Sequence, residues 1–156
     1  MPAFTVRYSF QQRFHVAARR AYAWCTDYRP DDHVLMGERG SRKVLQLSED
    51  ALILTDNWPG RVGRSVTKVK LVRLDPRNLS WTSTHIAGPA RHSQFLYRIV
   101  SEGRERSRLE VLGFQHERAR NRLTLARMKS RSRGLCRDDS EAWKLLAWAM
   151  ETELAH

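Results

Sequence analysis

The first residues of the chain alternate. Phe4, Val6, Tyr8, Phe10, Phe14 and Val16 fall on one parity, and Thr5, Arg7, Ser9, Gln11, Arg13 and His15 on the other. Residues 4–16 are therefore predicted to form a long strand buried on one face. The period then lengthens. Ala17, Ala21, Trp24, Cys25 and Tyr28 share one face at helical spacing, with Arg19 and Arg20 outside it. Pro30 stops that helix. Asp31-Asp32 suits the start of a second short helix reaching about Met36-Gly37.

After Gly40 the pattern is one of strands, at 42–48, 51–58, 64–74, 79–87, 92–101 and 106–116. The links carry turn chemistry: Ser48-Glu49-Asp50, Pro59-Gly60, Asp75-Pro76-Arg77-Asn78, Gly88-Pro89 and Glu102-Gly103-Arg104. Short links between long strands predict antiparallel hairpins. The last part is helical. Asp138-Asp139-Ser140-Glu141 offers a cap and first-turn acids. Trp143, Leu146, Ala147, Met150 and Leu154 mark an apolar stripe, which Leu145, Trp148 and Ala149 widen. Ser130-Arg131-Ser132-Arg133-Gly134 reads as a break between two helical pieces. A helix this apolar must cover something broad. A seven-stranded antiparallel sheet has one face to bury, and it twists and curls. A curled sheet closed by one helix leaves room between them for an apolar ligand.

Composition narrows the picture. At 156 residues the chain makes one domain, 1–156, and 41% apolar content sustains a core without staples. The longest apolar run, Leu145–Met150, is far short of the roughly 20 residues that a spanning helix needs. The first residues show no basic start followed by an apolar run, so a cytoplasmic location is the expectation. Cys25 and Cys136 stand far apart, which suits neither a disulfide nor a zinc framework. The net charge is +11, yet Arg118 to Arg137 holds eight bases and no acid, leaving +3 on the remainder. Through Arg118, Arg120, Arg122, Arg127, Lys129, Arg131 and Arg133 that segment could meet anionic lipid headgroups or nucleic-acid phosphate. It has no Phe, Trp or Tyr to stack on bases. A plain solvated helix and linker is the alternative.

The stretch Val16–Tyr28, in which an aromatic residue and a following Asp close the first helix, resembles the strand-to-helix entry of the START/polyketide-cyclase (SRPBCC) superfamily. This is the helix-grip fold shared with the birch pollen allergen. Trp143 and the ending Glu151-Thr152-Glu153-Leu154 are similar to the family's gripping helix. The likeness covers nearly the whole chain as an architecture. The basic stretch Arg118–Arg137 departs from it, being longer and more charged than the usual entry into that helix. The resemblance implies an α+β fold: a curved seven-stranded antiparallel sheet, two short helices after the first strand, and a long C-terminal helix over the concave face. It also implies binding, or transport, of a lipid, sterol, polyketide or other apolar molecule. Some members are cyclases or dehydratases.

Strand parity nominates the wall of such a cavity. Trp81, Ser83 and His85 share one parity, Phe95 and Tyr97 another, and Leu52, Leu54 and Trp58 a third. Trp143 and Met150 face them from the helix. Most buried aromatics only pack, so these residues are core as well as candidate lining. His85 is the polar candidate for orienting a ligand oxygen or moving a proton. No sequence pattern supplies it with a partner, and a satisfied structural His is the simpler reading. Asp27, Asp31, Asp32 and His33 lack the regular ligands and turn glycine of a calcium loop. Cys25 reads as a small core residue. No metal, cofactor or nucleophile motif is present. Ligand binding is therefore preferred, with a cyclase or dehydratase using the same cavity as the alternative.

Overall fold

The computed structural model describes residues 2–35, 39–60 and 63–155. Strand β1 (Ala3–Phe14) leads into helix α1 (Ala18–Cys25) and the short helix α2 (Asp32–Leu35). Six strands follow: β2 (Ser41–Ser48), β3 (Ala51–Pro59), β4 (Ser65–Asp75), β5 (Ser80–Ala87), β6 (Gln94–Gly103) and β7 (Arg106–Arg118). Helix α3 (Leu125–Leu154) closes the chain. The seven strands form one antiparallel sheet in the order β1-β7-β6-β5-β4-β3-β2. Hairpins build it outward from β7, and β1 returns to pair along the whole of β7. This is the α+β helix-grip architecture that the resemblance implies, with the element order that the alternation and turn chemistry predict.

The alternation sets which face is inside. Val6, Tyr8 and Phe14 on β1, Leu52 and Leu54 on β3, Val72 on β4, Trp81 on β5, Ile99 on β6 and Leu109 and Val111 on β7 are buried. Trp143, Ala147 and Met150 of α3 complete the core. The Trp143 ring lies 6.4 Å from Trp81 and 5.8 Å from Tyr97, while Trp81 stacks on Tyr97 at 4.8 Å. Beside this cluster, Gly113 makes room for the Tyr8 and Phe95 rings, whose centroids lie 6.3 Å apart. A Cβ there would sit 2.7 Å from Cζ of Tyr8 and 3.1 Å from Cδ1 of Phe95. Gly113→Ala is expected to cost about 2 kcal/mol by overpacking, seen as a lower urea midpoint. A change within error would contradict this account of the packing.

The end of the first helix differs from the sequence reading. Helix α1 ends at Cys25 rather than Tyr28, because the Thr26 hydroxyl donates to the Tyr22 carbonyl at 2.7 Å and closes the last turn. The part of the second short helix expected at Met36-Gly37 lies outside the described residues. The larger correction concerns α3. The helix begins at Leu125, with Thr124 as its cap accepting from the Arg127 amide at 3.2 Å. Ser130–Gly134 is no break, and Asp138–Glu141 is no helix start. Among Ser130 to Gly134 only glycine is a poor helix former, at about 1 kcal/mol, and no proline interrupts. Contacts with β1 and β7 offset that cost. The Ser132 hydroxyl donates to the Arg7 carbonyl at 2.7 Å, and Arg131 Nε pairs with Glu117 Oε1 at 2.7 Å. The shift turns Asp139 from a first-turn acid into an interior position on the face toward the sheet.

Candidate functional site

Between the sheet and α3 lies a cavity of about 170 Å³, partly open to solvent. Its apolar walls are Trp24, Leu54, Tyr97, Ala142, Trp143 and Leu146, and Cys25 and Tyr28 join them from the α1 side. Asp32, Arg42, Lys70, Ser83 and Asp139 supply the polar part. A wider depression of about 570 Å³ runs over the solvent face of the sheet beside the exposed Arg98–Glu110 pair.

The polar part is organised around Asp56, which is fully buried on β3. Arg42 on the neighbouring β2 reaches it with two hydrogen bonds, Nε to Oδ1 at 2.6 Å and Nη2 to Oδ2 at 3.0 Å. Lys70 Nζ on β4 lies 2.9 Å from Oδ2, and His33 Nε2 lies 3.4 Å from Oδ1. Arg42 Nη1 also donates to Asp32 Oδ2 at 2.8 Å. Two cations and two carboxylates thus form a closed cluster. Burial works to raise the Asp56 pKa, but the Arg42 hydrogen bonds and the Lys70 charge outweigh it and hold the carboxyl well below its usual range. Burial lowers the Lys70 pKa, opposed by Asp56.

On the α3 side, the Tyr8 hydroxyl donates to Asp139 Oδ2 at 2.9 Å. Burial raises the Asp139 pKa, against the opposing pull of that hydrogen bond and of Lys70. Burial likewise keeps the Cys25 thiol and the Tyr97 phenol protonated. A protonated thiol is a poor nucleophile, so Cys25 is a wall residue.

Hydrogen-bonding capacity is left over toward the cavity. An ammonium has three donors, and Asp56 is the one acceptor of Lys70 among the described residues. The Ser83 and Tyr97 hydroxyls have no hydrogen-bond partner among those residues, and Oδ1 of Asp139 is likewise unengaged. Donors and an acceptor therefore meet an aromatic surface in one small space.

Of the sequence-nominated residues, Leu54, Ser83, Tyr97 and Trp143 stand on the cavity wall. Leu52, Trp81 and Met150 share their face but are sealed within the core. Phe95 and His85 pack on each other, ring to ring at 5.3 Å. Trp58 lies edge-on to His33 at 4.8 Å and under Lys68 at 5.0 Å. Parity places all of these on the inner side, but the depth of packing over each one separates lining from core.

Burial, reinforced by Lys70 and Lys68, pushes the His85 pKa down to about 3. Neutral in the fold and protonated when unfolded, His85 lowers stability as pH falls from its ordinary value near 6.5 toward 3. The slope is about 1.4 kcal/mol per pH unit. Asp139 and Asp32, whose pKa values are raised, act in the opposite sense over the lower part of this window. The clean test is therefore the difference between the protein and His85→Leu in urea denaturation. That difference should shrink steadily from pH 6.5 to pH 4, and a pH-independent difference would contradict the burial argument.

No family model and no curated protein sequence matches the chain. Solved structures do. An aromatase/cyclase, Zhui, from Streptomyces sp. R1128 superposes with a TM-score of 0.77 at 13% identity, over 97% of this chain and 96% of that one. The chain has the helix-grip fold. Other solved structures, of quite different description, share it. A START superfamily protein from Mycobacterium smegmatis gives a TM-score of 0.66 at 14% identity, over 95% of this chain and 96% of that one. Norcoclaurine synthase from Thalictrum flavum, in complex with dopamine and hydroxybenzaldehyde, gives 0.65 at 12%, over 98% and 88%. Identities this low establish the helix-grip fold and nothing finer. No helix among the described residues is long and apolar enough to cross a membrane.

Proposed function

We propose that the chain binds a small apolar molecule, of one ring with oxygen substituents, in the cavity between the sheet and α3. One observation carries the reading. A space of about 170 Å³ is walled by Trp24, Tyr97 and Trp143, yet Lys70, Ser83 and Tyr97 direct unfilled hydrogen-bonding capacity toward it. An apolar cavity of about 150 Å³ admits benzene, so an extended acyl chain or a multi-ring polyketide is too large without rearrangement. Ring burial supplies affinity at about 25 cal/mol per Å², and an oxygen held by Lys70 sets the orientation. The chemistry of the norcoclaurine synthase complex, a phenol that also carries a carbonyl, suits both requirements.

The experiment is a titration with 4-hydroxybenzaldehyde and with bromobenzene, followed by tryptophan fluorescence. Both should quench Trp143 and Trp24. Lys70→Met should weaken the aldehyde roughly tenfold, the loss of one charge-assisted hydrogen bond, and leave bromobenzene unchanged. Equal weakening of both, or no binding of either, contradicts the proposal.

A second reading, cyclase or dehydratase chemistry, is favoured by a pair the sequence did not suggest. Asp139, with its pKa raised by burial, and Lys70, with its pKa lowered, face the same cavity. Asp139 could accept a proton from a carbon next to a carbonyl, the electron pair moving to the carbonyl oxygen beside Lys70. On this reading Asp139→Asn keeps ligand affinity within about threefold and abolishes deuterium exchange at that carbon, tested with a small aryl ketone in heavy water. Exchange undiminished by the substitution excludes Asp139 as the base.

A further inference from the structure

The solvent face of α3 has a composition that core packing does not explain. Arg127, Arg131, Gly134, Arg137, Glu141, Leu145 and Trp148 follow one another at steps of three or four residues. They therefore share one stripe, opposite the buried Trp143, Ala147 and Met150. Trp148 is 69% exposed and Leu145 46% exposed, one turn apart on this stripe, while Leu125 at the helix start is 69% exposed. Arg127, Arg131, Arg133 and Arg137 line a single shallow depression along the first half of the helix. Arg118, Arg120 and Arg122, also exposed, lead into it. Arg131 pairs with Glu117, and Arg137 with Asp138. The other bases of the segment have no acidic partner among the described residues.

We propose that this face docks on an anionic lipid surface, with the basic half of α3 on the headgroups and Trp148 and Leu145 inserted at the interface. Three observations favour lipid over nucleic acid. The exposed apolar residues lie on the same helix as the arginines. A tryptophan with a free edge suits the boundary between water and hydrocarbon. The basic segment itself has no aromatic ring to stack on a base. Headgroup attraction falls off over a Debye length, so the docking is salt-sensitive. A helix whose inner face is fixed to the sheet presents this stripe already formed, without the ordering cost of a disordered basic tail.

The test is sedimentation of the whole protein with vesicles of mixed phosphatidylcholine and phosphatidylglycerol. Pure phosphatidylcholine vesicles and a short DNA duplex serve as comparators. The protein should bind the mixed vesicles, release them at high salt, and ignore pure phosphatidylcholine. Replacing Arg127, Arg131, Arg133 and Arg137 together by Gln should weaken vesicle binding by up to roughly a thousandfold. A blue shift of tryptophan emission on vesicle binding should vanish in Trp148→Phe. These side chains are exposed, so urea midpoints report whether each variant is folded. Vesicle binding that survives the four substitutions, equal binding to uncharged vesicles, or binding to the duplex alone overturns the proposal.

Discussion

Asp56→Asn is expected to lower the unfolding free energy by about 3–5 kcal/mol, a large share of the 5–15 kcal/mol typical of a domain. The carboxylate is fully buried, and it is the common partner of Arg42, Lys70 and His33. Asparagine keeps the shape but leaves Arg42 paired with Asp32 alone and Lys70 with no acid beyond the pull of Asp139. Urea denaturation at neutral pH reads the loss directly. The penalty should be smaller when Arg42→Met and Lys70→Met accompany Asp56→Leu, because an apolar replacement of the whole cluster removes the desolvation cost together with the attraction. A single-variant loss below about 1 kcal/mol would mean that the cluster behaves as a solvated surface pair. The sign with pH is also set. The Asp56 pKa is depressed in the fold, so its contribution is complete above the ordinary carboxylate value and is lost as pH falls toward the lower, folded one.

Ala142→Phe is expected to reduce affinity for a ring-sized ligand at least a hundredfold while leaving the fold intact. Ala142 stands on the cavity wall one residue before Trp143, and it is half-buried rather than sealed. A benzyl group there occupies most of about 170 Å³. It projects into space rather than into packed atoms, so the overpacking cost stays small. Fluorescence titration with 4-hydroxybenzaldehyde measures the effect, and the urea midpoint measures the fold. Affinity within about threefold of the parent would place the ligand somewhere other than this cavity.

Much of the architecture is legible in the chain itself. The even-numbered apolar residues of β1 and the turn residues between the later strands specify strand number, hairpin order and inner face. Leu54, Ser83, Tyr97 and Trp143 were within reach of the same argument, because period-two and helical spacing assign a face. What spacing cannot assign is depth. Trp81 and Ser83 are neighbours on one face, yet Trp81 is capped by Tyr22 and Trp143 while Ser83 looks into open space. The charged part of the site was missed for two reasons. On β4 apolar residues occur on both parities, with Val69 and Leu71 opposing Val72 and Leu74, so nothing marked Lys70 as inward. Asp139 was hidden by the misplaced start of α3, where an Asp-Asp-Ser-Glu run imitates a cap. One usable signal did exist. Asp56 shares its parity with Leu52, Leu54 and Trp58, and an acid on a core face requires buried cations nearby.

Native mass spectrometry of the purified protein beside Ala142→Phe tests the central claim most directly, with 4-hydroxybenzaldehyde added to each. The cavity account predicts a one-to-one adduct on the parent protein and none on the variant, at matching charge-state distributions. The same adduct on both, or on neither, contradicts it.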